Sequence, residues 1–205
     1  MWALPPPDPA IEILVATRGM SKGISQTEGP QMIARGSVKF KDVQFGLQWK
    51  NVTSTRADGE AAAFANVTHK FGQLQVNGGV AYKFQTGVRE PTDNTSWEFT
   101  GGANRKFGRV TARVNAIYSP DDLGPARKSL FVEGGPAVQF GKDWTASAAI
   151  GHRSRDRGID YTAWNAGVGK TLHGVQLDLR YYDTNRSGLD VPYHARLVAS
   201  ARLSF

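Results

Sequence analysis

The segment 193–205 alternates between apolar and polar side chains with a period of two. Every second residue from Tyr193 to Phe205 is apolar, whereas most of the residues between them carry hydroxyl, imidazole or guanidinium groups. Successive side chains point to opposite sides only in an extended strand, so this segment is predicted to be a β-strand with one apolar face. Segments 109–119 and 175–183 show the same alternation. The pattern predicts an all-β fold.

Twelve strands are predicted when this alternation is followed along the chain. Their approximate ranges are 10–25, 31–40, 43–52, 60–71, 74–85, 95–107, 109–119, 129–140, 143–153, 161–172, 175–183 and 193–205. Short turns alternate with longer polar loops, such as 86–94 and 119–128. Because each strand neighbours the next in sequence, we expect residues 10–205 to form a closed antiparallel up-and-down transmembrane β-barrel. The Pro-rich residues 1–9 are predicted to be an extended tail.

Aromatic residues recur beside the short turns. The six positions, one of which has leucine in place of an aromatic residue, follow one another at intervals of 31, 36, 33, 32 and 33 residues. They are Phe40, Phe71, Phe107, Phe140, Leu172 and Phe205. About ten residues from these positions, on the same face, lie further interfacial side chains, and ten residues tilted by ~45° span the hydrocarbon layer. Two such rows are typical of the aromatic girdles of a membrane barrel, although a soluble β-sandwich also alternates. The predicted girdle residues are Phe40, Phe71, Tyr82, Trp97, Phe107, Tyr118, Phe140, Trp164, Tyr193 and Phe205.

Composition excludes several other classes of protein. The chain has 205 residues and no cysteine, so disulfides, thiol catalysis and Cys-ligated metal sites are excluded. It has no apolar run of the length that a transmembrane helix needs, about eighteen residues. Neither a metal-ligand spacing nor a nucleotide-binding motif is found, so no cofactor is predicted. The start MWALPPPDPA lacks the features of a secretory signal, and we expect the sequence to be that of a mature protein.

Six short motifs match a known family. They are GISQTEGP at 23–30, IYSPDDLG at 117–124, VEGG at 132–135, DYTAWNAGVGKTL at 160–172, LDLRYYDTN at 177–185 and RLVASARLSF at 196–205. In this order and spacing they resemble the TorF family of outer-membrane porins. The chain departs from that family at 18–22, RGMSK, where an Asp-Tyr-Arg-Phe-Arg-like run is usual. The resemblance implies a bacterial outer-membrane location, porin activity, and a terminal Phe205 that the barrel assembly machinery reads.

The charged residues that alternate with the apolar ones along each strand are predicted to face the lumen. Leaving out the first strand, this face carries twelve basic residues against Glu98, Glu133 and Asp178. The excess, with a net charge of +7, predicts an anion-preferring pore for the diffusion of small solutes. The predicted pore-lining residues are Arg35, Lys50, Lys83, Glu98, Arg113, Glu133, Asp178, Arg180, Arg196 and Arg202. The predicted partners are small anionic solutes, outer-membrane lipids and lipopolysaccharide; nucleic acid is not expected, because the basic residues form no single exposed patch.

Three other interpretations stay open. The lumen charges could pair and fill a plugged barrel, because twelve strands lie between the roughly eight of filled barrels and the sixteen of open porins. The barrel could be non-conducting, with a structural role or a binding role carried by its loops. It could also be an outer-membrane lipid hydrolase with a histidine base. The four candidates, His69, His152, His173 and His194, have no suitably placed serine in their own segments, so no enzyme is predicted.

Overall fold

The structure is a computed structural model that describes residues 6–53, 57–89, 93–123 and 126–205. Twelve antiparallel strands form one closed barrel, and a small two-stranded hairpin forms a separate sheet. The expected up-and-down barrel is confirmed. The strands are β1 (Asp8–Ala16), β2 (Met20–Ser21), β3 (Ile24–Ser25), β4 (Gln31–Phe40), β5 (Val43–Asn51), β6 (Gly59–Phe71), β7 (Leu74–Thr86), β8 (Thr95–Phe107), β9 (Val110–Asp122), β10 (Arg127–Phe140), β11 (Trp144–Arg155), β12 (Tyr161–Leu172), β13 (Val175–Thr184) and β14 (Arg196–Ser204).

The barrel closes through β1. This strand pairs with β4 on one side, where Ile13 lies opposite Ala34, and with β14 on the other, where Ile13 lies opposite Leu203. Beyond the end of β14, Ile11 and Phe205 exchange two backbone hydrogen bonds of 3.1 and 2.9 Å. Because the first and last barrel strands pair in this way, the described wall has no free strand edge.

The first predicted strand, 10–25, is wrong in its extent. The chain leaves the wall after Ala16 and forms the hairpin β2–β3 before β4 begins. The hairpin bends at Lys22 and Gly23, whose φ values of 50° and 81° lie in the left-handed region that a continuous strand does not use. We call the connecting segment 17–30 the N-terminal insert. Residues 1–5 of the predicted tail lie outside the described residues.

Two other predicted boundaries differ from the structure. The predicted loop at 119–128 is shorter, because β9 continues to Asp122 and this residue pairs with Arg127 at the start of β10. The last strand was predicted to begin at Tyr193, but in the structure it begins three residues later, at Arg196. The reason is that Val191–Tyr193 forms a short 3-10 helix that has a proline at its start. The remaining strands agree with the predicted ranges to within a few residues, and their exposed apolar side chains lie on the predicted side.

The outer surface of the barrel is apolar. Large side chains on one parity of each strand are exposed, and Leu47, Ile150 and Leu197 are each more than 60% exposed. An exposed apolar surface of this extent is stable only against lipid, which makes the barrel a transmembrane one. Among the described residues, no helix is long and apolar enough to span a bilayer.

Nine of the ten predicted girdle residues lie on this outer surface. They are Phe40, Phe71, Tyr82, Trp97, Phe107, Tyr118, Phe140, Trp164 and Phe205. Some form contacts across strands, and the ring centroids of Tyr82 and Trp97 are 4.9 Å apart. Tyr193 is not on the outer surface: it is 8% exposed and packs edge-on against Tyr161, because the 3-10 helix turns it away from the wall. That the nine mark the bilayer boundaries stays a prediction.

Candidate functional site

The barrel interior carries the charged side chains that alternate with the apolar ones along each strand. All ten predicted pore-lining residues lie on the inward parity of their strands, opposite to the exposed apolar residues. Three of them lie at the end of the barrel with the long loops: Lys50, Lys83 and Glu98. Five others line a cavity nearer the short turns: Arg113, Glu133, Asp178, Arg180 and Arg202. The lining of that cavity does not include Arg35 or Arg196. That these residues line a conducting pore stays a prediction.

The N-terminal insert crosses the lumen at the loop end. The Nζ atom of Lys22, at its tip, is 2.6 Å from Oε1 of Glu98 on β8 and 3.2 Å from Oδ2 of Asp122 on β9. Strands β8 and β9 lie on the far side of the barrel from β1, where the insert begins. The side chain of Lys22 is only 7% exposed. The insert therefore spans the lumen and is fixed to the opposite wall.

Seven side chains of alternating charge form what we call the loop-end network. Its members, in order, are Lys50, Glu60, Lys83, Glu98, Lys22, Asp122 and Arg153. The successive N–O distances from Lys50 to Asp122 are 3.1, 3.5, 2.6, 2.6 and 3.2 Å, and Arg153 pairs directly with Asp122. None of these side chains is more than 14% exposed. Charges so far from water depend on their partners, because removing one leaves another uncompensated.

Three members of the loop-end network were not predicted to face the lumen, whereas Arg153 was one of the twelve basic residues of the inward-facing set. On β6, Glu60 alternates with the exposed apolar side chains of Val67 and Phe71, so the alternation was sufficient to find it. Lys22 lay within the overlong first strand, and Asp122 lay within a predicted loop. With these residues included, four basic side chains meet three acidic ones, so the basic excess predicted for the lumen is largely compensated at the loop end.

The tip of the insert is seated against β12. The Tyr161 hydroxyl donates a hydrogen bond of 2.7 Å to the backbone oxygen of Lys22. A Cβ atom at Gly23 would lie 2.3 Å from the Cβ atom of Ala163, so no side chain fits there without a shift. Ile24 packs against the small buried cluster that contains Tyr161 and Ala163. The contact depends on a glycine at position 23.

The C-terminal half of the insert is bound to β5 and the residues after it. Lys50 Nζ donates a hydrogen bond of 2.7 Å to Oε1 of Gln26, and the backbone nitrogen of Thr53 donates one of 2.9 Å to the Gln26 oxygen. Within the insert, the Gly19 nitrogen donates to Oγ1 of Thr27 at 2.7 Å. Together with the loop-end network, these bonds hold the insert across the loop end of the lumen.

A polar cavity of about 670 Å³ lies between the insert and the short turns. In it, Arg180 is held by Asp178 through two bonds, Nε to Oδ1 at 3.1 Å and Nη2 to Oδ2 at 3.0 Å. Arg202 is 3.7 Å from the carboxylate of Glu12. A second cavity of about 320 Å³ adjoins β8 to β11, and Arg113 lines both. The interior thus has a loop end that the insert crosses and a polar, basic cavity nearer the short turns.

The histidines show no hydrolase geometry. His69 Nδ1 is 2.6 Å from Asp42 Oδ2, but this pair is exposed at a short turn. His152 contacts the hydroxyl of Thr162 at 3.0 Å, and His194 contacts a backbone carbonyl oxygen at 2.9 Å. Within the described part of the chain, no serine hydroxyl bonds to a histidine, and no group of three His, Asp or Glu side chains could hold a metal ion.

Comparison with known proteins identifies the family. The model of the Gcw_chp family, described as a bacterial protein of unknown function, matches residues 22–199. The chain belongs to the Gcw_chp family. No curated protein matches this Gcw_chp member.

Several solved structures share the fold of this Gcw_chp protein. The KdgM porin is 11% identical, with a TM-score of 0.66 over 96% of this chain and 99% of that one. The NanC porin is 10% identical, with a TM-score of 0.65 over 95% and 98%. An outer-membrane channel from Pseudomonas putida F1 is 10% identical, with a TM-score of 0.64 over 99% and 97%. At these identities the likeness establishes a porin-like barrel fold.

Proposed function

We propose that this protein is a channel of the bacterial outer membrane through which small solutes diffuse passively. The observation that carries the proposal is a closed twelve-stranded barrel that is apolar outside and has two polar cavities inside. Side chains fill a barrel of about eight strands, and about sixteen strands enclose a wide channel, so twelve enclose a narrow lumen. The fold shared with the KdgM and NanC porins and the resemblance to the TorF porins both support this function.

The proposed solutes are preferentially anionic. The loop-end network compensates most of its own charge, but the turn end remains basic. Arg35 lies 4.1 Å from the ring of Phe64 and opposite Glu12 in the pairing of β1 with β4, but it forms no ion pair with that carboxylate. Arg113 has no ion pair to a described carboxylate. A low-dielectric wall with excess positive charge attracts anions. A KdgM porin structure in complex with disordered oligogalacturonate, an anion, supports this preference by analogy.

The N-terminal insert controls passage in this proposal. Its tip is ion-paired to the wall opposite β1, so a solute that enters from the loop end can pass only when the insert moves. We therefore expect a conductance that is small, or that switches between levels, in the wild-type protein.

The outward-facing features define the proposed partners. The apolar belt would contact outer-membrane lipids, and the basic loop after β11 would contact lipopolysaccharide. Phe205, 70% exposed beside Ile11 at the turn end, would be read by the barrel assembly machinery.

A liposome uptake experiment tests the proposed function. The full-length protein is reconstituted into liposomes, and the entry of glucuronate is compared with the entry of glucose, which is similar in size and uncharged. We expect both to enter faster than into protein-free liposomes, with glucuronate the faster. Equal or slower entry of glucuronate would contradict the anion preference, and an absence of uptake would contradict the channel.

A non-conducting barrel with a structural or binding role is the second candidate. The observation that favours it is the burial of the loop-end network, in which the side chains of Lys50, Glu60 and Glu98 are at most 8% exposed. In that case neither solute would enter, even after a substitution that releases the insert.

A further inference from the structure

We propose that Arg113 is the centre of an internal binding site for a small polar solute that carries one carboxylate or phosphate group. The inference deepens the proposed channel function, because it assigns a substrate class to the turn-end cavity. It rests on three features of that cavity: its size, the unpaired state of one guanidinium group, and the polar side chains around it.

Arg113 lies where the two polar cavities of the lumen adjoin. It lies on β9 and lines both the cavity of about 670 Å³ and the adjoining cavity of about 320 Å³. Sites for small molecules in proteins have volumes of about 300–1,000 Å³. The larger cavity alone therefore accommodates a molecule the size of a sugar acid.

Arg113 differs from its neighbour Arg180 in having no hydrogen bond and no ion pair to a described residue. Arg180 bonds twice to Asp178 and also donates to Asn165 and Ser147, each at 2.8 Å. The Nε atom of Arg113 is buried without a hydrogen bond, and its guanidinium group has no ion pair. A buried donor without an acceptor is costly, so the site favours a ligand that supplies one. The planar guanidinium fork matches the two oxygens of a carboxylate or phosphate group.

Glu133 limits the charge that the site accepts. It lies on β10, where its neighbour Gly135 is paired with Arg113, and it lines the same cavity. Its carboxylate accepts one hydrogen bond from a described residue, that of Asn165 at 3.3 Å. An anion bound to Arg113 would therefore place the rest of its structure near a carboxylate, which repels a second negative group. The site favours solutes with a single acidic group and several hydroxyl groups.

Tyr182 and the amide side chains supply the remaining contacts. Tyr182, Asn165 and Gln176 line the larger cavity, and Asn115 and Gln139 line the smaller one. Hydroxyl and amide groups donate and accept hydrogen bonds, which suits a hydroxylated solute. The chemistry of the lining thus agrees with a sugar acid or a sugar phosphate better than with an apolar carboxylate.

Calorimetric titration of the full-length protein in detergent tests the inference. The probes are glucuronate, glucose and inorganic phosphate, and the variants are Arg113→Gln and, as a matched control, Arg109→Gln, which removes an exposed arginine at the nearby turn. We expect glucuronate to bind the wild type and Arg109→Gln equally, and to bind Arg113→Gln at least about tenfold more weakly. Glucose should bind the wild type and Arg109→Gln more weakly than glucuronate does, and this difference should shrink in Arg113→Gln. Glu133→Gln should bind glucuronate more tightly and reduce the discrimination against sugar acids with a second carboxylate, such as glucarate.

Several outcomes would overturn the inference. Equal affinity of glucuronate for the wild type and a folded Arg113→Gln would show that Arg113 is not the anchor. If neither glucuronate nor phosphate binds the wild type at millimolar concentration, the site does not exist, although uptake into liposomes would still support the channel. If glucuronate binding depends on Arg113 but no solute enters the liposomes, the proposed site is supported and the proposed channel function is refuted.

Discussion

Replacing Lys22 by methionine should release the N-terminal insert. Methionine keeps an unbranched apolar stem but removes the ammonium group that pairs with Glu98 at 2.6 Å and with Asp122 at 3.2 Å. Removing one partner of a buried ion pair costs about 3–5 kcal/mol. Glu98 retains Lys83 at 2.6 Å and Asp122 retains Arg153, so we expect the lower figure, about 3 kcal/mol.

This loss of free energy mainly destabilises the docked state of the insert and not the barrel wall. The wall strands keep their ladder hydrogen bonds, whereas the insert loses its only charged contact with the far wall among the described residues. A loss of about 3 kcal/mol raises the ratio of released to docked insert about a hundredfold. Lys22→Met should therefore spend far more time than the wild type in a high-conductance level.

Single-channel recording in planar bilayers measures this change. The matched control is Lys142→Met, which removes an exposed lysine at a short turn and should behave as the wild type. Circular dichroism checks that both variants retain the barrel. Currents in a folded Lys22→Met that are indistinguishable from those of the wild type would refute the idea that the loop-end network holds the lumen closed.

Three further perturbations have defined expected outcomes. Gly23→Ala places a methyl group against Ala163 at a φ of 81°, which should destabilise the docked insert by about 2 kcal/mol and raise its cleavage by an added protease; cleavage at the wild-type rate would contradict the seating. Asp122→Asn leaves Lys22 and Arg153 without their shared carboxylate and should lower the free energy of unfolding by about 3 kcal/mol in urea titrations; an unchanged midpoint would count against a stabilising network. Phe205→Ala should lower the fraction of chain that reaches the folded barrel in cells, and an unchanged fraction would show that the terminal ring is dispensable.

Much of the wall could be predicted because its determinants are local. Alternation with a period of two identifies both the strands and the side of each strand that faces lipid. The lipid-facing rings of Phe71 and Trp97 and the inward position of Arg113 follow from this parity alone.

The interior could not be predicted to the same extent, because long-range contacts determine it. Strands β2 and β3 have two residues each, too few for any periodic pattern, and the insert is held by residues far away in sequence, such as Glu98 and Tyr161. Asp122 belongs to a strand only because Arg127 pairs with it. Tyr193 has the parity of a girdle residue, but the 3-10 helix before β14 overrides the alternation. In each case tertiary packing decides where a side chain lies.

The reversal potential across a planar bilayer under a salt gradient is the most direct test of an anion-preferring channel. We predict that the purified full-length protein gives resolved currents, that Lys22→Met enlarges them, and that the reversal potential has the sign of anion selectivity in both. An absence of current in both proteins would contradict the channel, and a cation-selective reversal potential would contradict the role assigned to the basic lumen.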